Sequence, residues 1–160
     1  MVSLILESLQ FVSDGKSRSG VERVLFRCLK NESFFKLFAG ALVKHGMQLR
    51  GKRESYYMLK WIVHLLWRLS LPESQKPISK LLHVAARCLD QLRERDYKRA
   101  SQRLRELIRT KLGFREEAVA VATEIRSPLL LRVVCETLSI EQDAIREKVL
   151  TDYCTCVIGA

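Results

Sequence analysis

Residues 54–71 read ESYYMLKWIVHLLWRLSL, and on a helical wheel this stretch is apolar around almost its whole circumference. Tyr56, Leu59, Val63, Leu66 and Trp67 form one row and Met58, Trp61, Ile62, Leu65 and Leu69 a second, leaving Lys60, His64 and Arg68 as the one stripe for water. A helix of that kind belongs inside a protein and needs cover on both rows. The preceding stretch supplies one cover, because Phe34, Phe35, Phe38, Ala39, Leu42 and Val43 recur at i, i+4 and i+8. The segment that follows supplies the other. Cover from both sequence neighbours implies stacked helix layers.

Helix punctuation extends this reading in both directions. Residues 2 to 12 form a first short helix, and SDGKSRSG makes the turn after it. In a second helix Val21, Val24, Leu25, Cys28 and Leu29 share a face, and Ser19 with Glu22 has capping-box spacing. Asn31 caps the third, which HGMQLRGK closes with Gly46 and Gly51 as breakers. The stretch 54–71 is the fourth. Beyond Pro77 the face Leu81, Ala85, Cys88, Leu89 and Leu92 gives a fifth, and Tyr97, Ala100, Leu104, Leu107 and Ile108 a sixth that Gly113 ends. Phe114, Ala118, Val121, Ala122 and Ile125 mark a seventh, and Ser127 before Pro128 is a cap and first-turn pair for an eighth. Ser139 and Gln142 repeat the capping-box spacing ahead of a ninth, from about Glu141 to Val157, with Ile145, Val149, Tyr153 and Cys156 on one side.

No segment alternates apolar and polar residues between turn signals, so no strand is expected. About nine helices joined by short connections leave no room for a linker and predict one all-α region over residues 1–160, an α-solenoid of HEAT- or armadillo-like pairs. At this length roughly 70% of the unfolded surface is buried on folding, enough for a sizeable core.

Composition narrows the class. Hydrophobic residues make up 48% and charged residues 29% of the chain, which is ordinary for a globular protein and argues against disorder. With 28 Lys and Arg against 18 Asp and Glu, the net charge of +10 favours acidic partners such as nucleic acid, ribosomes or anionic membrane. The five cysteines, Cys28, Cys88, Cys135, Cys154 and Cys156, are odd in number and scattered, the usage of a reducing compartment. MVSLILESL has no basic start and carries Glu7 in its apolar run, so it reads poorly as a signal peptide. The run Trp61 to Leu71 is too short and too charged to span a bilayer. A soluble cytoplasmic protein with no membrane partner is expected.

The chain lacks a glycine-rich phosphate loop, HExxH, G-x-S-x-G and a paired CxxC. Its three histidines are isolated, and His64 reads as a solvated helix-surface residue. Cys154 and Cys156 read as small packing residues rather than metal ligands. The expectation is a protein without catalytic activity, cofactor, metal or small-molecule substrate.

One segment carries functional content: residues 93–111, RERDYKRASQRLRELIRTK. With Tyr97, Ala100, Leu104, Leu107 and Ile108 turned inward, Lys98, Arg99, Arg103, Arg105 and Arg109 project over the opposite arc, where only Glu106 opposes them. Two readings stand: a solvated helix face, or a ridge that contacts a phosphate backbone or an acidic protein. With Tyr97 turned inward, aromatics for base stacking are absent nearby, so sequence-specific RNA reading is not expected.

The run DGKSRSGVERVLFRCLKNESFFKLFAGALVKHGMQL, followed by YYMLKWIVHLLWRL, resembles the amino-terminal region of a family of very large HEAT-repeat translational activators, those of the general-control, amino-acid-starvation pathway, also described as stalled-ribosome sensors. Plant members are the most similar. The matching features are Asp14, Ser17 and Arg18 at a D-x-x-S-R turn, the apolar helix to Leu29, the N-x-x-F-x-K-x-F-A-x-x-L-V stretch from Asn31 to Val43, and Tyr57, Leu59 and Trp61. Weaker similarity runs through RASQRLRELI, through Ser127 and Pro128, and into the final helix. The resemblance implies a non-catalytic scaffold that associates with ribosomes and with an ATP-binding-cassette partner. It also implies support of the starvation kinase, which phosphorylates the initiation factor's alpha subunit. Family chains are far longer, so the chain is expected to be a fragment of a longer solenoid that lacks the family's central partner-binding repeats and carboxy-terminal kinase-binding segment. The other reading is a generic basic helical adaptor for RNA or an acidic protein.

Overall fold

The computed structural model of the chain describes residues 23–24, 27–28, 30–46, 52–71 and 73–159. These form seven α-helices and one 3₁₀ turn: α1 (Glu32–Gly46), α2 (Lys52–Trp67), α3 (Gln75–Asp90), α4 (Glu94–Thr110), α5 (Phe114–Glu124), α6 (Pro128–Glu136), the turn Ile140–Gln142, and α7 (Asp143–Gly159). Among the described residues there is no strand, and no helix is long and apolar enough to cross a membrane. The helix expected over 2–12 lies outside the described residues. Of the second expected helix, Arg23, Val24, Arg27 and Cys28 are helical and the rest is likewise outside them.

The boundaries follow from local chemistry. Asn31 Oδ1 accepts from the Phe34 backbone N–H at 3.1 Å and so satisfies one of the orphan donors at the start of α1. Ser127 Oγ does the same for the Leu130 N–H at 3.2 Å, with Pro128 at the first helical position of α6. At Ser139 the capping-box spacing is realised by its N–H donating to Gln142 Oε1 at 3.1 Å, but the chain first makes a 3₁₀ turn and α7 starts only at Asp143. α3 starts at Gln75, two residues ahead of Pro77, because a proline in the first turn forfeits only an N–H that has no helical partner. Gly113 does not end α4, which stops at Thr110; it caps the start of α5 with φ +83°, the left-handed region that favours glycine. A Cβ at Gly113 would meet Leu71 Cδ1 at 3.1 Å, so packing also selects glycine here.

α2 is buried as its wheel requires. Met58, Leu59, Trp61, Ile62, Val63, Leu65 and Leu66 are all core residues, and only Trp67, 40% exposed, departs from its row. Phe38 of α1 meets Trp61 edge to face at 5.5 Å and stacks with Phe34 at 6.2 Å. α3 is the central helix, with Ile78, Leu81, Leu82, Val84, Ala85, Ala86, Cys88 and Leu89 buried against α1, α2, α5 and α6. Contact between helices follows chain order. Each of α1 to α5 touches the helix two places on, so α1, α3, α5 and α7 pack in one file and α2, α4 and α6 in a second. A single cluster of buried side chains runs from Phe38 to Val134 across both files.

Two cations close helix ends at long range. The Lys111 ammonium donates to the carbonyls of Leu66 (3.4 Å), Trp67 (2.9 Å) and Leu69, the acceptors left over where α2 ends, and lies over the Phe114 ring. Arg146 of α7 donates to the carbonyls of Cys135, in the last turn of α6, and Leu138, just past its end, at 3.3 and 2.5 Å, while pairing with Asp143 at 2.7 Å. α7 is the least covered helix. Val149 and Tyr153 lean on the core, but Ile145, Leu150 and Cys156 are exposed, so the expected one-sided apolar face is only partly buried.

Replacing Trp61 by alanine removes a side chain that is 3% exposed at the junction of α1 and α2. The expected cost is about 3–5 kcal/mol. A melting temperature unchanged in Trp61→Ala would refute this packing.

Candidate nucleic-acid interface

Among the described helices α4 is the most amphipathic, and that asymmetry creates the candidate site. Tyr97, Ser101, Leu104, Leu107 and Ile108 face inward and are buried, which leaves the opposite arc to charge. Lys98, Arg99, Arg103 and Arg109 are exposed on that arc with Glu106 among them. Among the described residues, no carboxylate comes within ion-pair distance of these four cations. Arg95, also exposed, continues the line one turn earlier. Residues 95, 99 and 103 recur at i, i+4 and i+8, so their Cα atoms follow one another at roughly 6 Å along the helix. Arg95 is absent from the expected ridge because it lies beside Glu94 and Asp96 in sequence, whereas its angle about the helix axis places it there.

Arg105 departs from the expectation. Its guanidinium turns onto α6, pairing with Glu136 Oε2 at 2.8 Å, donating to Ser101 Oγ at 3.0 Å and to the Lys98 carbonyl at 3.5 Å, with the side chain 25% exposed. The physical reason is its place on the flank of α4 one turn after Ser101, next to α6, where a carboxylate waits that no wheel of α4 alone reveals. Glu136 is a hub. Its Oε1 accepts from the Tyr97 hydroxyl at 2.9 Å and pairs with Arg132 Nε at 2.8 Å. Arg132 in turn binds Glu94 through two N–H groups at 3.0 and 2.7 Å and lies 4.3 Å from the Tyr97 ring centroid. Burial, followed by the hydrogen bond and charge of Glu136, holds the Tyr97 hydroxyl well above the usual phenol range. The hydrogen bonds from Arg132 hold the Glu94 carboxyl below its usual value. This network ties α4 to α6 and consumes its own charges.

On the other flank α4 meets α2. Arg103, Lys60, Trp61, Val63, His64 and Trp67 line a small cavity of about 80 Å³. The ridge therefore continues from Arg103 onto the polar stripe of α2, where Lys60 and Arg68 are exposed. Two expectations are corrected here. His64 is half-buried rather than solvated, its ring edge-on to Trp61 at 6.2 Å. Burial, then the nearby guanidinium groups of Arg68 and Arg103, push its pKa down. The ridge also has an aromatic neighbour, because half-exposed Trp67 lies alongside Arg103. Neither was legible in sequence, since Arg103 and Trp67 are brought together only by the packing of α4 on α2.

Among the described residues the buried polar side chains are Ser55, Ser101 and Ser127. Ser55 donates to Gln91 Oε1 at 2.9 Å, Ser101 accepts from Arg105, and Ser127 caps α6. Among the described residues no group of three or more His, Cys, Asp or Glu is placed to hold a metal ion, and Cys154 and Cys156 lie exposed on α7. No protein-family model, curated protein or solved structure matches the chain.

Glu136→Ala should leave the buried Tyr97 hydroxyl without its acceptor and separate α4 from α6, at a cost of about 1–3 kcal/mol in chemical denaturation. A stability equal to that of the wild type would show the hub to be dispensable. His64 gives a pH test with a definite sign. Its folded pKa lies below the ordinary value near 6.5, so the unfolded state takes up the proton first. Stability is full above that value and falls as pH drops through it toward the folded pKa. The denaturation midpoint should therefore fall more steeply from neutral to mildly acidic pH in the wild type than in His64→Gln. Parallel slopes would place the imidazole in open solvent.

Proposed function

We propose that the chain is a non-catalytic scaffold, the amino-terminal part of a cytoplasmic, ribosome-associated translational activator that supports starvation-kinase signalling and so phosphorylation of the initiation factor's alpha subunit. The observation that carries the ribosome contact is the basic ridge: four exposed cations of α4, extended by Arg95, with no carboxylate among the described residues paired to them. A rigid helix presenting cations at regular spacing suits a phosphate backbone, whose affinity comes from counterion release. The two files of helices, each touching the next but one, support an α-solenoid of HEAT-like pairs. The resemblance of Asp14 to Trp61 to the general-control activators supplies the translational context. The resemblance implies that the family's central partner-binding repeats and carboxy-terminal kinase-binding segment are absent from this chain.

A second reading, a generic basic adaptor for RNA, is favoured by Trp67, whose exposed ring beside Arg103 gives an unpaired base a surface to stack on. Ribosomes and single-stranded RNA compared side by side separate the two readings.

Replacing Arg99, Arg103 and Arg109 by glutamate should abolish co-sedimentation with ribosomes while far-UV circular dichroism stays unchanged, because all three are exposed. The slope of log affinity against log salt should fall by about 0.7–0.9 for each phosphate that the variant no longer neutralises. Lys148→Glu, on exposed α7, serves as the control and should bind as the wild type does. Equal sedimentation of wild type and triple variant at low salt would reduce the ridge to a solvated surface.

A further inference from the structure

α1 and α3 pack in the same file, and among the described residues a groove of about 740 Å³ lies along one side of their seam, lined in part by Arg68, Leu69 and Ser74 between α2 and α3. Its floor is apolar and built from Phe35, Ala39, Val43, Leu69 and Leu81. Gly40 also lines it: a Cβ built at this helical glycine meets no atom within 4 Å, so a larger side chain there would project into the open groove. The rim is cationic, with Lys30, Arg68, Lys76 and Lys80. The carboxylate that lines it, Glu32, is paired with Lys36 at 3.5 Å.

We propose that this groove docks an acidic amphipathic helix of a partner protein, with the helix's apolar stripe on the floor and its flanking carboxylates on the lysine rim. An apolar floor between charged rims suits helix-in-groove recognition, in which anchors at i, i+3, i+4 and i+7 fill a hydrophobic trough. Charge complementarity selects the sign. Lys76 and Lys80 stand one turn apart on α3, at roughly 6 Å, the same interval as carboxylates at i and i+4 on a docked helix. Lys30 and Arg68 line the same groove. Nucleic acid fits the groove poorly, because one face of Phe35 is already covered by the Arg68 guanidinium at 4.7 Å from the ring centroid and the remaining floor is aliphatic or small. A bilayer fits poorly as well, since a concave floor cannot enter the headgroup region as the apolar face of a surface helix does. The apolar segment at residues 2–12 carries one acidic residue, Glu7, and lacks the charge this rim asks for. The proposal stands apart from the ridge on α4 and from the translational reading.

The test is fluorescence anisotropy of the whole chain with a labelled synthetic peptide of about four helical turns, leucines on one stripe and glutamates on its flanks. The control peptide carries lysine at the glutamate positions. Saturable binding of the glutamate peptide is expected, weakening as salt rises. Gly40→Leu should weaken it by about tenfold or more by projecting into the groove, and Lys76→Glu with Lys80→Glu should do so by reversing the rim. Gly40→Leu keeps the fold because its side chain enters open space and glycine is the poorer helix former. The ridge variant at Arg99, Arg103 and Arg109 should bind the peptide as the wild type does. No saturable binding, equal affinity for the lysine peptide, or indifference to both groove variants would overturn the proposal. Gly40-dependent binding of phosphatidylglycerol vesicles in place of the peptide would overturn it in favour of a lipid surface.

Discussion

A helix with no broad polar side has to be enclosed, and α2 sets that constraint for the rest of the chain. Seven of its side chains are in the core, so three neighbours must reach it: α1 through Phe38 against Trp61, α3 along its length, and α4 across the cavity at His64 and Arg103. No single neighbour covers it. Burial of that area is the dominant favourable term, and the solution found is a helix of one file wedged against successive helices of the other. The remaining helices repeat it, α3 enclosed by α1, α2, α5 and α6 in the same manner.

The high positive charge of the chain is divided between two tasks. One set of cations works inside the fold: Lys111 on the carbonyls that end α2, Arg146 on those at the end of α6, and Arg105 and Arg132 around Glu136. Burial lowers the pKa of Lys111, a sign that its ammonium gives up water for carbonyl acceptors. The other set, on the outer arc of α4 and around the groove between α1 and α3, faces solvent. Net charge therefore overstates what is available to a partner.

A surface of this kind suits a scaffold. Residues on α4 are fixed by the buried Tyr97, Leu104 and Ile108 beneath them, so the cations stand at constant spacing without any loop having to order. The small cavity beside Trp67 joins that ridge to α2, and the larger groove lies on a different seam. A ridge and a groove on separate seams follow from a layered architecture, in which every seam between neighbouring helices can leave a trough.

Periodicity alone fixed the all-helical class, the burial of the apolar residues between 58 and 66, the inward face of α4 and the cap at Ser127, because each depends on side-chain direction about a single helix axis or on neighbours within one turn. Local signals also explain the misplaced boundaries: Gly113 marks a break equally well as the end of α4 or the cap of α5, and only its contact with Leu71 and its left-handed backbone decide. What the tertiary structure alone decided is where the flanks of each helix end up. Arg105 is one of five similar cations on its wheel until α6 brings Glu136 beside it, and His64 and Trp67 belong to a solvent stripe and an apolar row until α4 brings Arg103. A wheel gives the angle of a side chain, whereas its partner comes from a helix some thirty to forty residues away in the chain, and that pairing is set by packing, not by any pattern within either segment.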